Sequence, residues 1–160
     1  MQARPAKKGR DLTAETENSE AKTAREQALI AAAAIDDKKG TDIVIQEVGQ
    51  LLNVTDYFVI CTAANNRRVE AIAEEVEERL RKEAGIKPIG REGFEDAKWV
   101  LLDYGSIVVH IFQPAERDYY RLEQLWDQAP TVDVAAAGIE DPVYSERIAT
   151  LLGRMKQAQD

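Results

Sequence analysis

A chain of 160 residues has room for one compact domain with extensions, and its 44% hydrophobic content is that of a globular protein. A single cysteine, Cys61, excludes an internal disulfide framework, no CxxC or Cys/His cluster offers structural zinc, and no apolar run approaches the roughly 18 residues of a membrane span. The net charge of −8 repels phosphate backbones, which disfavours broad nucleic-acid binding and makes a basic protein surface the better partner.

Residues 1–22 are polar and almost free of large apolar side chains, so they bury too little to offset ordering entropy and are expected to form a disordered tail. Their basic tip, with Arg4, Lys7, Lys8 and Arg10, lacks the apolar stretch of a secretory signal and the Ser-rich character of a transit peptide. The expectation is a cytoplasmic protein, with an organelle as second option. The alanine-rich run from Thr23 to Lys39 predicts a helix, with Lys38 and Lys39 at the negative end of its dipole and Gly40 as its C-terminal cap. DIVIQEV from Asp42 and DYFVICT from Asp56 are rich in β-branched and aromatic residues and predict two strands.

Asn65 suits the N-cap of the next helix, in which Val69, Ile72, Ala73, Val76 and Leu80 recur at helical spacing and Gly85 marks the stop. Glu75/Arg79, Glu77/Arg81 and Glu78/Lys82 stand four residues apart on its solvated faces. KPIGR, from Lys87 to Arg91, predicts a short edge strand, because Pro88 has no ladder donor. WVLLDYGSIVVHIF, residues 99–112, then reads as a hairpin, and Pro114 opens a helix lined by Tyr119, Leu122, Leu125 and Trp126. The domain is expected to span residues 23–126, leaving residues 127–160 as an extension. Within it, residues 127–140, with Pro130 and Gly138, read as a linker. Asp141 and Pro142 read as N-cap and first residue of a last helix, whose stripe is Tyr144, Ile148, Leu151, Leu152 and Met155. This order predicts an α/β (α+β) fold: a small mixed sheet of about five strands covered by helices, parallel across a helical crossover and antiparallel in the hairpin.

With Tyr104-Gly105 as a two-residue loop, Asp103 opposes Ser106, Leu101 opposes Val108 and Trp99 opposes His110, although a longer loop would shift that register. One face of the hairpin then carries Val100, Leu102, Ile107, Val109 and Ile111 and belongs to the core. The other carries Trp99, Leu101, Asp103, Ser106, Val108, His110 and Phe112, a mixture that fits either the underside of a helix or a protein-binding patch. His110 and Cys61 are the residue types of a base and a nucleophile, but no elbow motif surrounds Cys61. The glycines form neither a GxGxxG nor a GxxxxGK[ST] loop. No catalytic residue, cofactor or metal is assigned.

The segments DDKKGTDIVIQEV, TDYFVICTA, WVLLDYGSIVVHIF and RDYYRLEQLW, in that order from about Leu29 to Trp126, resemble the ribosomal silencing factor S family, also called Iojap-like. The resemblance implies a non-enzymatic α/β domain that binds ribosomal protein L-fourteen on the large subunit. It implies that joining of the small subunit is blocked there and that translation is repressed under starvation or in stationary phase. Its partner-binding residues would be Trp99, in the approach DAKW, as an anchor, with Leu101 and Asp103 on the same face. Tyr104, Tyr119 and Tyr120 are secondary candidates, and Lys98 would sit at the rim. Contact with nucleic acid would be incidental, through ribosomal RNA. The last helix is left three roles: covering the domain, extending the ribosomal interface, or mediating a homodimer. Large-subunit assembly is the alternative function. The sheet also resembles the nucleotidyltransferase fold, but that family's Gly-Ser followed by Asp-x-Asp is absent, and Asp56 stands alone in TDYFVI.

Overall fold

The computed structural model describes residues 21–158; the basic tip and nearly all of the expected tail, residues 1–20, lie outside them. Helix α1 (Ala24–Asp37) begins at a capping box, in which the Thr23 hydroxyl accepts from the Glu26 amide at 3.1 Å and the Glu26 carboxylate accepts from the Thr23 amide at 2.8 Å. It ends one step earlier than its glycine suggests. Lys39, at φ 66°, takes the left-handed position. Gly40 is needed for another reason, since a Cβ there would run into the Ile35 side chain.

Strand β1 (Thr41–Glu47) pairs antiparallel with β2 (Tyr57–Thr62), and helix α2 (Asn66–Ala84) crosses over to β3 (Gly90–Glu92), β4 (Trp99–Asp103) and β5 (Ile107–Phe112). Asn65 and Gly85 are its caps, the latter at φ 69°, and Val69, Ile72, Ala73, Val76 and Leu80 are its buried residues. Glu75–Arg79 and Glu78–Lys82 pair along the helix, but Glu77 reaches across to Arg91 of β3 at 2.7 Å instead of down to Arg81.

The chain then departs from the expected outline. The helix after Pro114 is two short ones, α3 (Pro114–Tyr120) and α4 (Leu122–Leu125), broken at Arg121, whose φ is 49°. This break abolishes the single stripe, so Tyr119 and Leu125 are exposed, whereas Leu122 and Trp126 pack on the sheet. The expected linker contributes structure: β6 (Thr131–Val132) pairs with β1, a 3-10 turn follows at Val134–Ala137, and Ala129, Val132, Val134 and Ile139 are buried. Helix α5 (Glu146–Arg154) starts at Ser145 rather than Asp141. The preceding stretch is held extended, with the Asp42 carboxylate accepting from the Ser145 amide at 2.7 Å and the Tyr144 hydroxyl donating to the Ile43 carbonyl at 2.7 Å.

The sheet is mixed and has six strands in the order β3-β4-β5-β2-β1-β6, with β2 and β5 parallel and the other neighbours antiparallel. Alternation along the strands gives it two faces. Helices α1 and α2 cover the first, where Ala28, Ala31, Ile35, Ile72, Val76 and Leu80 meet Ile45, Val59, Cys61, Leu102, Val109 and Ile111. The second face carries Phe58, Ile60, Val108 and Phe112, with Trp99, Leu101, Leu122 and Trp126 partly buried against them.

Candidate functional site

The hairpin that carries the candidate residues closes one residue later than its sequence suggests. Asp103 opposes Val108, Leu101 opposes His110 and Trp99 opposes Phe112, so Gly105 and Ser106 form the loop. Gly105, at φ 85°, takes the first loop position, where a type II′ turn requires glycine, and its amide donates to the Asp103 carboxylate at 2.8 Å. The register moves by an even number of residues, so the two faces keep their membership. Ser106 alone leaves: its hydroxyl turns to the Gln27 side chain on α1.

Trp99 stands at a corner of the sheet, because β3 pairs only with Leu101–Asp103 and leaves the start of β4 projecting. The backbone there is closely set. The Ala97 amide donates to the Gly93 carbonyl at 3.0 Å, and a Cβ on Gly93 would collide with the Trp99 carbonyl. Gln113 closes the other side, with its amide on the Lys98 carbonyl at 2.9 Å and its side chain on the Ala97 carbonyl at 3.0 Å. The indole is half-buried, stacked on Phe112 at 4.7 Å and leaned on by Tyr120 at 4.8 Å, and Tyr119 meets Tyr120 edge-on at 5.0 Å. A buried pair of this kind is worth about 0.5–1.5 kcal/mol beyond the area it buries, and the exposed Tyr119 adds less.

The indole N–H donates to His110 Nδ1 at 3.2 Å. An accepting Nδ1 places the neutral ring's proton on Nε2. Burial, reinforced by the nearby Arg117 charge, pushes the His110 imidazole down to about 3, so the ring stays neutral at physiological pH. Burial likewise pushes the Cys61 thiol up to about 12. Cys61 lies on the helix-covered face and His110 on the other, so the sheet separates the two residue types that a Cys/His pair would need.

The structure thus gathers Trp99, Leu101 and Tyr120 into one aromatic patch, with the exposed Tyr119 beside it and Lys98 exposed next to Trp99 in the chain. Asp103 shares the face but has committed one oxygen to the hairpin loop. Tyr104 does not join them. It is buried among the residues under α1 and α2, where burial and the Glu77 charge hold its phenol above the usual range.

Sequence reasoning missed the polar network over this face. Arg117 is 1% exposed; its Nε donates to Glu123 Oε1 at 2.9 Å and its Nη1 to the Thr62 hydroxyl at 3.0 Å. Glu123, fully buried, also accepts from Arg147 of α5 at 2.7 Å. Gln46 of β1 donates to the carbonyls of Glu123 and Trp126 at 2.9 and 3.1 Å. Arg117 and Glu123 stand six apart, which is not a helical pairing distance, and the Arg121 break that brings them together carries no glycine, proline or asparagine to announce it.

Comparison with known proteins places this geometry. A family model described as ribosomal silencing factor during starvation matches residues 21–158. A ribosomal silencing factor of Bacillus subtilis is 46% identical over 105 residues, covering 66% of this chain and 88% of the relative. A crystal structure of a Chromobacterium violaceum protein, 35% identical, superposes with a TM-score of 0.63 over 78% of this chain and 93% of that one. A mouse protein named for mitochondrial assembly of the ribosomal large subunit is 30% identical over 90 residues, covering 53% of this chain and 38% of its own length. Four ordered motifs, a six-stranded mixed sheet with helices and a match across residues 21–158 agree, and the chain belongs to the family of ribosomal silencing factors.

Proposed function

We propose that this chain binds the large ribosomal subunit through ribosomal protein L-fourteen and, from that position, sterically blocks joining of the small subunit. Translation is thereby repressed in starvation or stationary phase, and the protein works in the cytoplasm alongside ribosomes. The observation that carries the reading is the Trp99 corner: a half-buried indole held between Phe112 and Tyr120, next to exposed Tyr119. A rigid aromatic anchor of this kind is the usual centre of a protein interface. Leu101 extends the apolar contact, and Lys98 and Asp103 supply its polar margin. The net charge of −8 favours encounter with a basic ribosomal protein over indiscriminate attachment to RNA. The role is regulatory rather than enzymatic, in keeping with a histidine and a cysteine that are both held neutral on opposite faces.

Purified protein mixed with separated subunits and sedimented through sucrose is expected to travel with the large subunit and to reduce joining. Migration with the small subunit alone, or unchanged joining at saturating protein, overturns the proposal. Trp99→Ala is expected to weaken large-subunit binding at least about tenfold, the scale of an interface anchor, while the variant still melts cooperatively. Loss of the fold instead would make Trp99 a core residue and end its assignment as anchor.

Assembly of the large subunit is a second reading, favoured by the printed name of the mouse relative. It would use the same surface. Accumulation of large-subunit precursors in a deletion strain during growth would select it over silencing of mature subunits.

A further inference from the structure

Tyr119 and Tyr120 end a helix that has little to hold it in place on its own. Helices α3 and α4 have seven and four residues, far below the roughly 12–15 at which an isolated helix becomes stable. Gln113, at the N-cap of α3, makes no side-chain capping bond. The junction turns through Arg121 at φ 49°, a backbone region that side-chain-bearing residues seldom adopt. Its placement rests on the buried Arg117–Glu123 pair across the break and on contacts from outside the two helices.

One side chain from α5 supplies a set of them. Arg147 Nη1 donates to Glu123 Oε2 at 2.7 Å and to Gln124 Oε1 at 2.8 Å, its Nε to Asp118 Oδ1 at 3.1 Å, and its Nη2 to the Arg117 carbonyl at 3.4 Å. Those acceptors lie on both sides of the Arg121 break, and Asp118 immediately precedes the two tyrosines. The planar fork of a guanidinium can span such a set, whereas a lysine ammonium is a point charge. Glu123 is shared, with Oε1 on Arg117 and Oε2 on Arg147. Removing Arg147 leaves Glu123 Oε1 paired with Arg117 across the break, but it takes the donor from Oε2 and removes the tie between the junction and α5.

We propose that Arg147 is a positioning residue for the partner-binding patch: from α5 it locks the α3–α4 junction and so fixes where Tyr120 leans on Trp99, with Tyr119 beside it. The proposal rests on reading that patch as the ribosomal contact. It also gives the last helix a definite role, tuning the interface without touching the partner.

The test uses the full chain with Arg147→Met, which keeps the aliphatic stem, and Arg147→Lys, which keeps the charge but not the fork. Hydrogen exchange is expected to quicken at amides 115–125 in the Met variant and to stay unchanged in α1 and α2. Large-subunit binding is expected to weaken about five- to tenfold, with the Lys variant restoring only part of the loss. Unchanged exchange at 115–125 overturns the proposal, as does acceleration spread equally through α1 and α2, which would make Arg147 a general stabiliser. Local acceleration with undiminished binding, where Trp99→Ala does weaken it, removes Arg147 from the interface. Should the unaltered protein fail to bind large subunits, the ribosomal reading falls, whereas the exchange pattern still decides whether Arg147 positions the tyrosines.

Discussion

The two faces of the sheet share the same strands but are built from different chemistry. Under α1 and α2 the contacts are almost wholly aliphatic, and the alanines of α1 let that helix settle close to the sheet and to α2. On the opposite face Gln46, Thr62, His110, Arg117 and Glu123 are all buried, and each requires a polar partner. Buried ion pairs bring little net stability, because their attraction is largely offset by the cost of leaving water. Their directional bonds join α3, α4 and α5 to one another and to the sheet. The first face therefore carries most of the aliphatic packing, and the second carries the polar contacts that set α3 and α4 over the sheet.

Breaking the first face is expected to have the largest effect on stability. Ile72→Ala, in the fully buried stripe of α2, should cost about 2–5 kcal/mol in a denaturant titration, yet folded molecules should bind large subunits as before. A binding loss comparable with that of Trp99→Ala would dissolve the division. The second face is sharpened by pH. The native state resists protonating His110 until about 3, whereas an unfolded histidine takes up its proton near 6.5. Stability from this group is therefore present above about pH 6.5 and is lost as pH falls toward 3, by about 1.4 kcal/mol per pH unit inside that window. His110→Gln should flatten that part of the profile, and an equally steep variant would show that the slope comes from elsewhere. The smallest stability effect belongs to Tyr119→Ala. With its side chain 80% exposed, it should change stability by less than about 0.5 kcal/mol while lowering large-subunit affinity; unaltered affinity would place Tyr119 outside the contact.

How legible these features are follows from how local their causes are. Helix α2 can be read almost completely, since Asn65, Gly85 and a regular apolar stripe act within one element. The hairpin faces can be read because alternation survives any even shift, but its register depends on which position Gly105 takes, and the Asp103 side chain settles that in three dimensions. Strand β6 has two residues, too short for alternation to show, and it forms only because β1 offers a free edge. The Arg117–Glu123–Arg147 network is the least legible part. Its members come from three helices and meet through a left-handed arginine that no sequence rule marks. Trp99 is legible as a face residue and Tyr120 as a candidate near it, but the contact between the two depends on how α3 packs on the sheet.

The outermost strands have a bearing on how such a protein behaves in a crowded solution. β3 is three residues long, with Arg91 and Glu92 exposed, and β6 is two residues long and is flanked by the chain's own end, with the Thr131 amide on the Lys156 carbonyl at 2.8 Å. Short, charged or self-covered margins give a foreign strand little backbone on which to align. Strand addition by another molecule, which is indiscriminate, is thereby disfavoured at both margins of the sheet.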